Sequence, residues 1–215
     1  MIKVVCFDCW DTLFFNRSKI SPVKQFIQKV QGKHDFYSAL KVVEKNLMVK
    51  ENANLEIATI NILKEMKIIP NKKLLAELKF LLEEACLLGL PFPETMSVLD
   101  ELKKKYKLCM ITNTFKQSHQ SMAQNYHFDN IFDLIIVSYK VGAVKPNPLM
   151  YEVALKKLKV KPDEMVMVGD TLEDDALAPE KLGIHGIVID RKKKYVTYEK
   201  RITSLKQLEN FLEAL

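Results

Sequence analysis

No apolar stretch in this chain approaches the roughly 18 residues that a membrane-crossing helix requires, which argues against an integral helical membrane protein. The start, Met1-Ile2-Lys3-Val4, lacks an apolar signal segment with a small-residue cleavage site, so the cytoplasm is the expected location. Internal repeats and low-complexity linkers are missing too. The four cysteines, Cys6, Cys9, Cys86 and Cys109, lie in or beside apolar segments and read as reduced, structural thiols. Cys6-x-x-Cys9 has redox or zinc spacing, but Cys6 sits inside a strand-like run and no matching Cys or His pair follows at ligand spacing. The one dense basic cluster, Arg191-Lys192-Lys193-Lys194, has no interleaved aromatic residues and reads as a solvated surface turn. Neither a nucleic-acid nor a membrane partner is expected, and oligomeric state leaves no trace in the sequence.

What is present is an ordinary globular composition, 48% hydrophobic and 28% charged, over 215 residues, enough for one large domain with an insertion. A formal net charge of +6 favours anionic partners, and phosphorylated metabolites satisfy it as well as nucleic acid does. Strand-like runs at Lys3 to Phe7, Leu108 to Ile111, Leu134 to Val137, Met165 to Val168 and Ile187 to Ile189 alternate with helix-period segments. Those helices are expected at Glu94 to Lys105, Lys116 to Asn125, Tyr151 to Lys159, Glu173 to Leu182 and Leu205 to Leu215. Such alternation predicts an α/β fold, a doubly wound parallel sheet of five strands. Residues 15–90 differ in kind, with amphipathic segments at Val23 to Val30, Phe36 to Lys50, Glu56 to Lys67 and Lys72 to Leu88 and no convincing strand. The expectation is a core of residues 1–14 and 91–215 interrupted by an all-helical block of residues 15–90.

In doubly wound sheets ligands bind outside the carboxyl ends of the strands, where this sequence places Asp8, Thr112, Lys145 and Asp170. Asp8 closes the apolar run Val4-Val5-Cys6-Phe7, a costly place for a carboxylate unless its charge is used. Thr112-Asn113 ends the second run; alone, a Thr there is more often a helix cap. Gly142-Ala143-Val144-Lys145-Pro146 fixes a lysine before a proline, and Gly169-Asp170 is followed by Asp174 and Asp175. Those acids would also favour the start of the next helix through its dipole.

Together and in this order, Phe7-Asp8-x-x-x-Thr12-Leu13, the apolar strand into Thr112-Asn113, Gly142-x-x-Lys145-Pro146 and Gly169-Asp170 with Asp175 resemble the four motifs of the haloacid dehalogenase superfamily, in its helical-cap subgroup. The resemblance implies a Rossmann-like core, Asp8 as nucleophile, Thr112, Asn113 and Lys145 as phosphate-binding groups, and Mg²⁺ held by Asp8, Asp170, the Trp10 carbonyl and Asp175, with Asp174 the alternative to Asp175. It implies hydrolysis of a small phosphorylated molecule through an aspartyl phosphate.

One position departs from the pattern. The superfamily's phosphatases carry a second Asp two residues after the first, as general acid and base, where this chain has Trp10. Such help is typically worth about 10²- to 10⁴-fold, and an indole, which only donates and does not titrate, cannot supply it. Asp11 could substitute if the turn were shifted; otherwise it hydrogen-bonds within the turn. Dehalogenating members also have an aromatic residue here but lack the Gly-Asp pair kept at Gly169-Asp170, and Arg17 is only a weak candidate for their substrate clamp. Phosphatase, L-2-haloacid dehalogenase and weakly active phospho-ligand-binding protein therefore all stand, the first favoured by the retained metal motif. Asn16, Arg17 and His34, near the start of the helical block, read as surface groups.

Overall fold

A computed structural model describes residues 1–51, 54–87 and 89–215. Its strands are β1 (Val4–Phe7), β2 (Phe14–Asn16), β3 (Gly89–Pro91), β4 (Lys107–Thr112), β5 (Leu134–Val137), β6 (Met165–Gly169), β7 (His185–Ile189) and β8 (Arg201–Ile202). Six form one parallel sheet in the order β5-β4-β1-β6-β7-β8. From β1 the chain winds outward to β5 and then returns to β6 on the other side, so the crevice beside β1 is the switch point where a ligand site is expected.

Alternation along β1 supplies both faces of the sheet. Val5 and Phe7 pack with Met110, Val168 and Ile187, whereas Val4 and Cys6 pack with Cys109, Ile111 and Met167. Cys6 and Cys9 thus belong to opposite faces, all four cysteines are free, and burial raises the thiols of Cys6 and Cys9 well above the ordinary range.

The five predicted strands are present, and three were not foreseen. β8 is two residues long, too short for periodicity to register. β2 and β3 correct the expectation of no strand between Phe15 and Leu90, since they pair as an antiparallel ribbon with Phe14 opposite Pro91. That ribbon joins the points where the chain leaves and re-enters the core, a pairing between segments far apart in sequence.

The helical block comprises α1 (Pro22–Val30), α2 (Phe36–Val43), α3 (Leu55–Glu65) and α4 (Lys72–Leu87). Leu88, the predicted end of the fourth helix, lies outside the described residues. Each of the first three starts at a side-chain cap: Ser21 accepts from the Lys24 N–H, Asp35 from Tyr37 and Ser38, and Asn54 from Glu56 and Ile57. A π-helical turn, Glu44–Met48, follows α2 and ends it short of the predicted Lys50. Phe26, Val30, Val43, Ile62, Leu63, Leu78 and Leu82 form the block's own core. Phe115 joins that core from the segment ahead of α6 (Lys116–Tyr126), which follows α5 (Thr95–Lys103) in the α/β part.

The expected helix Glu173 to Leu182 is instead a π-helical turn, Glu173–Leu177, and a short helix, Ala178–Glu180. Pro179 has no N–H to offer the Asp175 carbonyl one turn back, so a regular α-helix cannot run through. The terminal helix likewise starts as a 3₁₀ turn, Leu205–Gln207, before Leu208–Glu213. Among the described residues no helix is long and apolar enough to cross a membrane.

Candidate active site

Asp8 is carried to the end of the central strand, where its N–H donates to the Val168 carbonyl at 2.8 Å, and its side chain is 11% exposed. Lys145, 3% exposed at the side chain, donates from Nζ to Asp8 Oδ1 at 2.8 Å and to Asp175 Oδ1 at 2.6 Å. The other Asp175 oxygen accepts from the Thr171 N–H at 3.0 Å. Asp8, Asp170 and Asp175 each bring one carboxylate oxygen within 4.8 Å of the others. These groups line a cavity of about 190 Å³ with Trp10, Asp11, Asn113 and Asp174.

Backbone features hold this cluster in place. Asn113 Oδ1 accepts from the Lys145 N–H at 2.8 Å and Asn113 Nδ2 donates to the Lys145 carbonyl at 3.1 Å, so one amide clamps the lysine's backbone. Asp175 belongs to the π-helical turn, a widening that often accompanies functional sites. Glycine at 169 is required because a Cβ there would stand 2.1 Å from Asp175 Cγ. The Tyr151 hydroxyl donates to the Asp174 carbonyl and ties the turn to the helix Leu149–Leu158. Asn113 was expected from its motif as a phosphate-binding group, whereas both ends of its side-chain amide are engaged by the Lys145 backbone, and the Tyr151 tie had no sequence signal.

Burial pushes Asp8 up to about 6, with the Asp175 charge adding to it and Lys145 opposing. Asp170 rises to about 8, through burial first and then the charges of Asp8, Asp175 and Asp11. Asp174 and Asp175 are also raised by burial. Burial by itself would lower Lys145, but the Asp175 and Asp8 carboxylates outweigh it and hold the ammonium above its ordinary range. One cation thus faces an excess of carboxylates. The hard oxygen donors fit a magnesium-like ion, and Asp170 carries the least compensation, its only hydrogen-bond partner among the described residues being the Thr171 hydroxyl at 3.5 Å.

Not every predicted residue enters this cavity. Thr112 is buried, its hydroxyl has no partner, and it lines a separate hollow of about 10 Å³ with Trp10, His119 and Met122. The Trp10 ring packs on the core towards Gly89, where an added Cβ would stand 3.0 Å from it. Asp11 adopts a left-handed backbone (φ 55°), donates its N–H to the Phe14 carbonyl at 2.7 Å and pairs its carboxylate with Lys192 at 3.2 Å. Arg17 and His34 are exposed.

A family description for haloacid dehalogenase-like hydrolases matches residues 2–183, a span that holds all four motifs. The chain belongs to the haloacid dehalogenase-like hydrolase family. Among relatives of this hydrolase, a glyceraldehyde 3-phosphate phosphatase of Methanothermobacter thermautotrophicus is 37% identical over 46% of the chain and 45% of that protein. One from Methanopyrus kandleri is 26% identical over 94% of the chain and 89% of the relative. The stronger match thus spans less than half the length of its relative. A 2-haloacid dehalogenase of Pseudomonas syringae superposes with TM-score 0.69 at 20% identity, covering 100% of this chain and 99% of its own, a likeness of fold.

Proposed function

We propose that this hydrolase is a cytoplasmic, Mg²⁺-dependent phosphatase of small phosphorylated molecules. The observation that supports it most is the buried Asp8–Lys145–Asp175 ion cluster with Asp170 beside it at the switch point of the sheet. Asp8, Asp170, Asp175 and the Trp10 carbonyl would hold the ion, which when bound supplies Lewis-acid offset of phosphoryl charge. Asp8 attacks phosphorus in line, and the ester oxygen leaves with the bond electrons and takes a proton from water, because the Trp10 indole does not titrate and cannot act as the acid. Lys145 holds phosphoryl oxygens, while Asn113 keeps Lys145 in position. Water then cleaves the aspartyl phosphate, releasing phosphate and restoring the Asp8 carboxylate. The helical block of residues 15–90 acts as a cap that excludes bulk water.

A second reading is favoured by Trp10 alone: with a half-buried indole against the core where a titrating acid would stand, the protein is a phospho-ligand-binding module with little turnover. Hydrolysis of p-nitrophenyl phosphate, with Mg²⁺ and with chelator, decides between the two. The expected result is metal-dependent turnover that Asp8→Asn lowers by about 10³-fold or more, with alkyl phosphates cleaved far more slowly than the aryl ester. Wild-type turnover no greater than the variant's would sink the phosphatase reading, and haloacid turnover would be assayed next.

A further inference from the structure

A larger cavity, about 360 Å³, adjoins the carboxylate cavity and shares Asp11 and Asp170 with it. The two have opposite electrostatic character. The cavity over Asp8 is lined by five carboxylates and one ammonium, the larger one by five cations and three carboxylates. Two of those cations are already matched, Arg191 by Glu94 at 2.7 Å and Lys192 by Asp11 at 3.2 Å. Asp190 accepts from the backbone N–H groups of Lys194 and Tyr195 at 2.7 and 2.8 Å. Among the described residues, Lys19, Lys24 and Lys194 have no carboxylate within ion-pair distance; Lys24 has only the Phe36 ring, 5.9 Å away.

The walls are built rather than merely charged. The Arg191 guanidinium carbon lies over the Phe92 ring, 3.6 Å from its centroid; Arg191 also donates to the Thr12 carbonyl at 3.0 Å, which corrects the expectation that the whole basic run is a solvated turn. Phe92 in turn packs on Phe15, with ring centroids 5.0 Å apart. Lys19 and Lys24 come from the segment leading into α1 and from its first turn, and Lys194 from the loop after β7. An anion between them would therefore link the helical block to the α/β core, near the positive end of the α1 dipole.

We propose that this cavity is a second anion subsite, and that the substrate is a phosphomonoester whose leaving portion carries a further carboxylate or phosphate. The inference rests on the phosphatase reading for the position of the reacting phosphoryl group. Close to several carboxylates, a second anion is tolerated only where unmatched cations receive it, and Lys19, Lys24 and Lys194 are those cations.

The test is binding by calorimetry with Mg²⁺ and the Asp8→Asn protein, so that it is read with or without turnover. Two ligand pairs are compared: 3-phosphoglycerate with glycerol 3-phosphate for a carboxylate, and fructose 1,6-bisphosphate with fructose 6-phosphate for a phosphate. At least one bis-anion is expected to bind about tenfold or more tightly than its counterpart, and Lys19→Gln combined with Lys194→Gln is expected to bring that ratio towards one. Equal affinities in both pairs, no binding of either bis-anion, or a ratio indifferent to the lysine changes overturns the subsite. A preference that persists while wild type turns over no phosphate ester overturns the phosphatase reading and leaves the subsite standing.

Discussion

The helical block and the carboxyl edge of the sheet bury side chains for different reasons. In the block the buried residues are nearly all apolar, with Asn46 bonded to the Val42 carbonyl and Thr59 to the Leu55 carbonyl. At the sheet edge Asp8, Lys145 and Asp175 are buried as ions, an arrangement that rarely improves on apolar packing of the same volume. The block is organised for stability, whereas the edge concentrates charge that the fold alone has no use for.

The sharpest way to break that contrast is a pair of truncations. Ile62→Ala, at a position with no exposure in the block's core, is expected to lower unfolding free energy by about 2–5 kcal/mol by urea titration. Its effect on p-nitrophenyl phosphate turnover by the folded fraction should be far smaller than that of Asp8→Asn, which in turn should cost little stability. Equal loss of activity in the two variants would mean that the block's packing is part of the site.

Next in size is Gly169→Ala, which forces a methyl group against the Asp175 carboxyl. Overpacking of this kind costs about 1–3 kcal/mol, and here the displaced group is a Lys145 partner. A melting temperature lowered together with weakened Mg²⁺ binding is expected; a lowered melting temperature with Mg²⁺ affinity intact would separate packing from the site.

The remaining test is a slope, spread over several pH units rather than set by one substitution. Folded Asp170 and Asp8 hold their protons up to about 8 and about 6, whereas an unfolded Asp titrates near 3.9. The folded state therefore binds more protons than the unfolded one between about pH 4 and 8, and in chelator stability should fall as pH rises through that window. Mg²⁺ favours the ionised, folded form and should flatten the fall in melting temperature. A melting temperature that rises with pH in chelator would contradict the raised values.

Much of this was legible in the amino-acid order. Buried parallel strands announce themselves as apolar runs, and of the polar residues expected at their ends Asp8 and Asp170 follow β1 and β6 directly, Thr112 ends β4 but lies apart from the carboxylates, and Lys145, eight residues beyond β5, was marked by the Gly-x-x-Lys-Pro pattern. The two-residue β8 and the β2–β3 ribbon could not be read, because period-2 alternation needs more residues than they contain. The choice between Asp174 and Asp175 also stayed open, since residues adjacent in sequence point in different directions; in the π-helical turn Asp175 stands with Asp8 and Asp170, and Asp174 lines the same cavity.

By itself, then, the sequence determined the order of the five longer parallel strands, the interruption by helices, the identity of the charged groups near the strand ends and the replacement of an acid by Trp10. Tertiary structure alone decided that Asn113 clamps Lys145, that the Thr112 hydroxyl lies apart from the carboxylates, and that Arg191 lies over Phe92 beside unmatched lysines. The reason is distance along the chain. Local pattern records what each segment prefers, whereas these contacts join segments tens of residues apart along the polypeptide, and only the closed fold brings them close enough to act on one another.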